Sequence, residues 1–144
     1  ETMIHLQLIT HQGVSVDQEI YEMIAPTTTG EIAVFPDHES LVTIAEPGAL
    51  AVRYKKEDPD TELEYFAISG GVIEINPTEI RVLVDEADQG EDVVEAEVQA
   101  ALERAKKLRS EAKDQVEIDE AHRLVDRQAV RLRVAELNRR RRRP

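Results

Sequence analysis

The chain has 144 residues, 18 Lys/Arg against 30 Asp/Glu for a net charge of −12, no cysteine and no tryptophan. Without cysteine there is no disulfide, no thiolate metal site and no cysteine nucleophile, and with aromatics at 3% a core must be built from Val, Ile, Leu and Ala. The length suits one domain, or one small domain with an appendage, and no run approaches the roughly 18 apolar residues that cross a bilayer, nor is a signal-peptide segment present, so a soluble, cytosolic-facing chain is expected.

Ile4, Leu6 and Leu8 alternate with His5 and Gln7, the period of a half-buried strand. A turn at Gln12-Gly13 leads into an extended run from Val14 to Ala25, interrupted by Pro26 and Gly30. Ile32 to Phe35 is a short strand stopped by Pro36, and Leu41–Ala45 and Leu50–Tyr54 flank the turn Pro47-Gly48. Asp58-Pro59-Asp60 turns the chain into Leu63–Ile68. Gly70-Gly71 then precedes Val72–Ile75 and reads as a tight connection that needs unusual backbone angles. Asn76-Pro77-Thr78 is a hairpin turn into Ile80, Val82 and Val84. Short strands at roughly 8–12-residue spacing predict an antiparallel β-sandwich over residues 1–87.

From residue 88 the period changes. Asp88 and Glu91 have the spacing of a capping box and predict a helix start there. Val94, Val98, Ala101, Ala105 and Leu108 form one narrow apolar stripe, acidic at its start and basic at its end, as the helix dipole favours. The stripe loses register across residues 110–115. A second helix resumes with Ile118, Ala121, Val125, Ala129 and Leu132, widened by Val130, Val134 and Leu137. The class is therefore mainly β plus α, an N-terminal antiparallel β-sandwich followed by a C-terminal two-helix hairpin over residues 88–144. Charge divides at the same place: residues 1–100 carry four Lys/Arg and 22 Asp/Glu, residues 101–144 carry 14 and eight. Stripes of Ala and Val bury little area, and at about 25 cal/mol per Å² such a hairpin gains only a few kcal/mol on docking.

No constellation reads as an active site. The four histidines, His5, His11, His38 and His122, lack metal-ligand spacing, so no metal is expected. No phosphate-binding glycine loop occurs, and Ser69 has no readable His and Asp partners. Asp85-Glu86 and Glu57-Asp58 read as solvated acids. The run Arg139 to Arg143 reads as a solvated end or as a binder of acidic protein. Nucleic acid is disfavoured because no aromatics interleave with the arginines and the rest of the chain is acidic.

Four segments carry a resemblance. Residues 29–38 (Thr29-Gly30-Glu31-Ile32-Ala33-Val34-Phe35-Pro36-Asp37-His38), residues 69–75 (Ser69-Gly70-Gly71-Val72-Ile73-Glu74-Ile75), Val82 to Ala87 and Leu132 to Leu137 together resemble the epsilon subunit of F-type ATP synthases, in the right order across residues 4–138. What the resemblance implies is a non-catalytic central-stalk rotor subunit on the cytoplasmic face of a bacterial membrane, peripheral and not inserted. Its sandwich would bind the gamma subunit and rest on the ring of membrane rotor subunits. Its hairpin would lie folded or extend to the alpha and beta subunits of the catalytic head, coupling proton flow to synthesis and restraining ATP hydrolysis. By matched position, Glu31 and His38 would face the ring, and Arg123, Arg127, Arg131 and Arg133 would meet the head. Two departures stand out: Asp37 replaces a usual Gly, and the stretch Glu91 to Ala96, aligned with an ATP-binding motif of some members, has Glu95 in place of Arg. A carboxylate there repels phosphate, so no tight ATP binding and no cofactor are expected. The alternative reading is a free-standing β-sandwich adaptor whose basic tail recruits an acidic protein or nucleic acid.

Overall fold

The computed structural model describes residues 2–141. Ten strands come first: β1 (Ile4–Thr10), β2 (Gly13–Ile20), β3 (Glu22–Thr27), β4 (Gly30–Val34), β5 (Leu41–Ala45), β6 (Gly48–Arg53), β7 (Glu64–Ile68), β8 (Gly71–Ile75), β9 (Glu79–Val84) and β10 (Ala87–Gln89). Two helices follow, α1 (Glu95–Glu111) and α2 (Gln115–Arg141). The strands run in the order β10-β7-β6-β3-β5-β8-β9-β1-β2, with β4 against the free side of β3.

Two layers of five strands emerge because β3 meets β5 at one residue pair only, Thr27 with Ala45. Strands β10, β7, β6, β3 and β4 form one layer, and β5, β8, β9, β1 and β2 the other. Between them lies the core: Ile4, Leu6 and Leu8 of β1, with Ile73, Ile80 and Val82 of the same layer, pack with Met23, Leu50, Val52, Phe66 and Ile68 of the other, all buried. The alternation in β1 thus does what its period predicts. Pairing is antiparallel except between β1 and β9, which run parallel, so the first strand closes beside the last but one in the same layer. At one buried point the first layer is pinned by charge: Glu22 accepts a 2.8 Å bond from Arg53 Nε, and the Arg53 guanidinium also reaches Asp60.

The predicted helix start is displaced. Asp88 belongs to β10, paired with Ala67 of β7, so the sheet runs past residue 87. A short 3-10 turn over Gly90–Asp92 follows, and α1 begins at Glu95 after Val94, with no side-chain cap. Asp88 does not cap because its carboxylate is engaged elsewhere. The same Asp-x-x-Glu spacing does operate one helix later. Asp114 Oδ1 accepts the Glu117 N–H at 2.8 Å, and Glu117 accepts the Lys113 N–H at 2.9 Å, opening α2 just where the stripe breaks register.

The helices pack on each other through Val98, Leu102 and Ala105 of α1 against Val125, Leu132 and Ala135 of α2. Leu102 takes the place predicted for Ala101, and Leu108, Ile118 and Ala129 are exposed. Among the described residues, no buried member of the sandwich core comes from either helix. The α1–α2 clusters are distinct from the sandwich core, and α2 also packs over β6 and β7.

Candidate functional site

Two surfaces distinguish this molecule. The first is the outer face of the second layer. Because Ile73, Ile75, Ile80, Val82 and the β1 leucines point inward, Ile44, Val72, Leu83 and Ile9 point out. Register places them in one line: Ile44 opposite Val72, Val72 opposite Leu83, Leu83 opposite Ile9, and Ile9 opposite Val14 beyond a β-bulge. Ile44 is 57% exposed, Val72 40% and Val14 57%, so a row of apolar side chains five strands wide faces solvent. The next row is Val42, Glu74, Arg81, Gln7 and Asp17, mostly polar. Beyond it His5 sits between Asp17 and Glu19, Nδ1 being 2.9 Å from Glu19 and Nε2 against Asp17. Those hydrogen bonds, the one to Asp17 foremost, raise the His5 pKa above its ordinary 6.5.

The second surface is where the arm meets the sheet. Arg127 Nε lies 2.9 Å from Glu86, its Nη2 contacts Asp88, and its Nη1 donates to the Ala67 carbonyl. Arg131 Nε lies 3.0 Å from the same Asp88 oxygen without the alignment of a hydrogen bond. One carboxylate of the sheet thus bridges two arginines of α2 a turn apart. Further along, Gly90 is buried under Asn138: a Cβ there would stand 3.2 Å from the Asn138 Cβ and 3.1 Å from the Tyr65 carbonyl.

The predicted site residues fall apart into groups. Glu31 is exposed beside the β3–β4 turn, opposite Pro26, and that turn is tied to the end of β5 by the Thr28 N–H to Ile44 carbonyl bond. His38 lies near the other end of β5, where Asp37 N–H bonds the Pro77 carbonyl and His38 Nδ1 is 2.7 Å from the Glu39 carbonyl oxygen. Asp37 keeps a left-handed φ of 65°, so the chain holds a glycine-like backbone without glycine. Of the four arginines, Arg127 and Arg131 converge on Asp88, whereas Arg123 and Arg133 are exposed outside that network. Arg139 pairs with Glu95 at 3.1 Å, Arg140 and Arg141 complete α2, and Arg142 and Arg143 lie outside the described residues.

Sequence reading missed both organising features. Glu86, taken as a solvated acid, is an ion-pair partner of Arg127. The outer apolar row had a signal in the unbroken runs Val72-Ile73 and Val82-Leu83-Val84, which are apolar on both strand faces where a half-solvated strand alternates.

Comparison with known proteins matches this architecture. The family model for the ATP synthase delta/epsilon chain β-sandwich domain matches residues 3–90. The chain is 35% identical over 132 residues to the ATP synthase epsilon chain of Xanthomonas campestris pv. campestris (strain B100), covering 88% of this chain and 91% of that one. It is 32% identical over 122 residues to the epsilon chain of Neisseria meningitidis serogroup C (strain 053442), covering 81% and 85%. With the epsilon chain of Herpetosiphon aurantiacus it shares 30% over 138 residues, covering 96% and 98%. A chain of the Euglena gracilis mitochondrial ATP synthase (OSCP, F1 and c-ring, rotational state 1) has the same fold at TM-score 0.78 and 22% identity, covering 94% of this chain and 82% of that one. A family match across the sandwich, with relatives matched over most of their length and on into the helices, makes this chain a member of the ATP synthase delta/epsilon family, an epsilon-type subunit.

Proposed function

We propose that the chain is a non-catalytic rotor subunit of the central stalk, which couples rotation to ATP synthesis through its sandwich and restrains ATP hydrolysis through its helical arm. The observation that carries this reading is the solvent-facing apolar row from Ile44 to Val14. A monomer seldom exposes a contiguous apolar row of this kind on an ordered sheet, and taking one such side chain fully out of water is worth about 1.5–3 kcal/mol. A gamma subunit seated on that row gains affinity without any cost in reorganising the rigid β5-β8-β9-β1-β2 layer. Glu31 beside the β3–β4 turn and His38 before β5 are the residues offered to the membrane ring in this reading.

In this reading the arm works by charge. Arg123 and Arg133 are available to acidic surfaces of the alpha and beta subunits at once, and Arg127 and Arg131 become available when the arm leaves the sheet. The test is ATP hydrolysis by the cognate catalytic head with the whole chain and with a form ending at Gly90, which keeps every buried member of the sandwich core. Suppression by the whole chain alone makes the arm a brake. Binding of both forms with suppression by neither reduces the subunit to a coupling piece, and binding of neither removes the stalk reading.

A further inference from the structure

The arm meets the sandwich through ion pairs as well as through apolar packing of α2 over β6 and β7, where Val134, Ala51 and Ala67 are buried. Among the described residues, the sandwich core ends with Val84 and Ala87, while Val98, Leu102 and Ala105 of α1 face Val125, Leu132 and Ala135 of α2, and Val134 is buried outside both clusters. Between these two apolar units stand Glu86 and Asp88 on the sheet side and Arg127 and Arg131 on the arm side. Asp88 occupies β10, the last strand before the chain turns through Gly90 into the arm, so the contact sits beside the pivot. The arginine side chains are largely covered, Arg127 17% and Arg131 29% exposed. The charged hydrogen bond of Arg127 to Asp88, and the covered Arg131–Asp88 ion pair beside it, are worth more than exposed ion pairs.

From this we infer that Asp88 is the latch of the arm: it neutralises the two arginines that an acidic partner surface would otherwise take, so docking of the arm and binding of that partner compete for the same guanidinium groups. That an acidic partner exists rests on the regulatory reading above; that Asp88 holds the arm does not. Arg127 keeps Glu86 and the Ala67 carbonyl when Asp88 is neutral, whereas no other ion pair of Arg131 is seen among the described residues. Arg131, whose Nη1 donates to Gln128 Oε1 of its own helix, is therefore the side chain released from the sheet first. Opening keeps the Val98, Leu102 and Ala105 contacts with Val125, Leu132 and Ala135, and uncovers the face of α2 that packs over β6 and β7.

The experiment is amide hydrogen exchange of the whole chain by mass spectrometry, comparing wild type with Asp88→Asn, Arg131→Gln and Glu95→Gln, at low and at high salt. A latch makes Asp88→Asn and Arg131→Gln speed exchange at the sheet-facing amides of β7, β10 and the 90–94 pivot by about tenfold or more, with β1, β8 and β9 unchanged. Glu95→Gln, which breaks the more exposed pair with Arg139, stays within about threefold of wild type. High salt speeds the same amides in wild type and does so less in Asp88→Asn, because the charge it screens is gone. Unchanged exchange in both Asp88→Asn and Arg131→Gln overturns the latch. So does equal acceleration in β1, β8 and β9, which would assign Asp88 to the stability of the whole fold. Neither result bears on whether the chain inhibits hydrolysis, which the truncation assay decides separately.

Discussion

Gly71 and the carbonyl of Leu83 approach so closely across β8 and β9 that a Cβ on Gly71 would fall 2.0 Å from that oxygen. The Gly70-Gly71 pair reads from sequence as a turn needing special backbone angles, yet neither residue has a positive φ; Gly71 is there because two backbones touch. Gly71→Ala is expected to cost about 3 kcal/mol or more in urea unfolding, since backbone must move to admit the methyl. A loss below about 1 kcal/mol would mean that the layer yields at this point.

At Asp37 the requirement is the reverse. Its φ of 65° is one that Asp tolerates and that β-branched residues do not. Asp37→Gly should leave stability within about 1 kcal/mol of wild type, relief of strain offsetting the entropy of glycine, while Asp37→Val should lose about 1–2 kcal/mol or more. Thermal melts of the two variants rank them. A valine variant as stable as wild type contradicts the assigned backbone.

His5 gives a pH dependence with a definite sign. Hydrogen bonds to Asp17 and Glu19 raise its folded pKa above 6.5, so the folded state binds the proton more tightly than the unfolded one. The stability this contributes is fully present below pH 6.5 and is lost as pH rises through the raised folded value. The difference in melting temperature between wild type and His5→Gln should therefore shrink between pH 5.5 and the alkaline side of that window. A difference that grows with pH would rule out the charged pairing.

Titration with ATP should show no dissociation constant in the low micromolar range or below. Arg127 and Arg131 are already matched by Glu86 and Asp88, and Glu95 opens α1 with a carboxylate where the family motif has a base. Calorimetry on the whole chain measures this directly, and a tight, saturable heat signal would overturn it.

Ile44 tests the docking row. Its side chain already faces water, so Ile44→Glu should change unfolding free energy by about 0.5 kcal/mol or less while weakening binding to a cognate gamma subunit about tenfold or more. Pull-down or surface-based binding with purified gamma separates the two effects. Equal affinity in the variant would move the gamma contact off this face.

Much of this was legible because local rules agreed with the fold. The alternation of Ile4, Leu6 and Leu8, the turns at Gly13 and Asn76-Pro77, and the broken stripe near Ala112 each reflect forces acting within a few residues: side-chain period, turn chemistry and helix capping. The capping box shows the limit. Asp88 and Asp114 carry the same Asp-x-x-Glu spacing, and nothing local tells them apart. Ala67, 21 residues earlier, and Arg127 and Arg131, about 40 residues later, decide that Asp88 is a strand residue.

The sequence by itself determined the class, short antiparallel strands followed by a two-helix arm, together with the charge division and, through its four matching segments, the family; the split of the 14–25 run into β2 and β3 and the last strand β10 came from the fold. Tertiary structure decided the parallel β1–β9 pairing, the alignment of Ile44, Val72, Leu83, Ile9 and Val14 into one exposed row, and the capture of two arm arginines by Asp88. The physical reason is range. Period and turn propensity act between neighbours in the chain, whereas strand register and buried ion pairs are fixed by which distant segments share a layer.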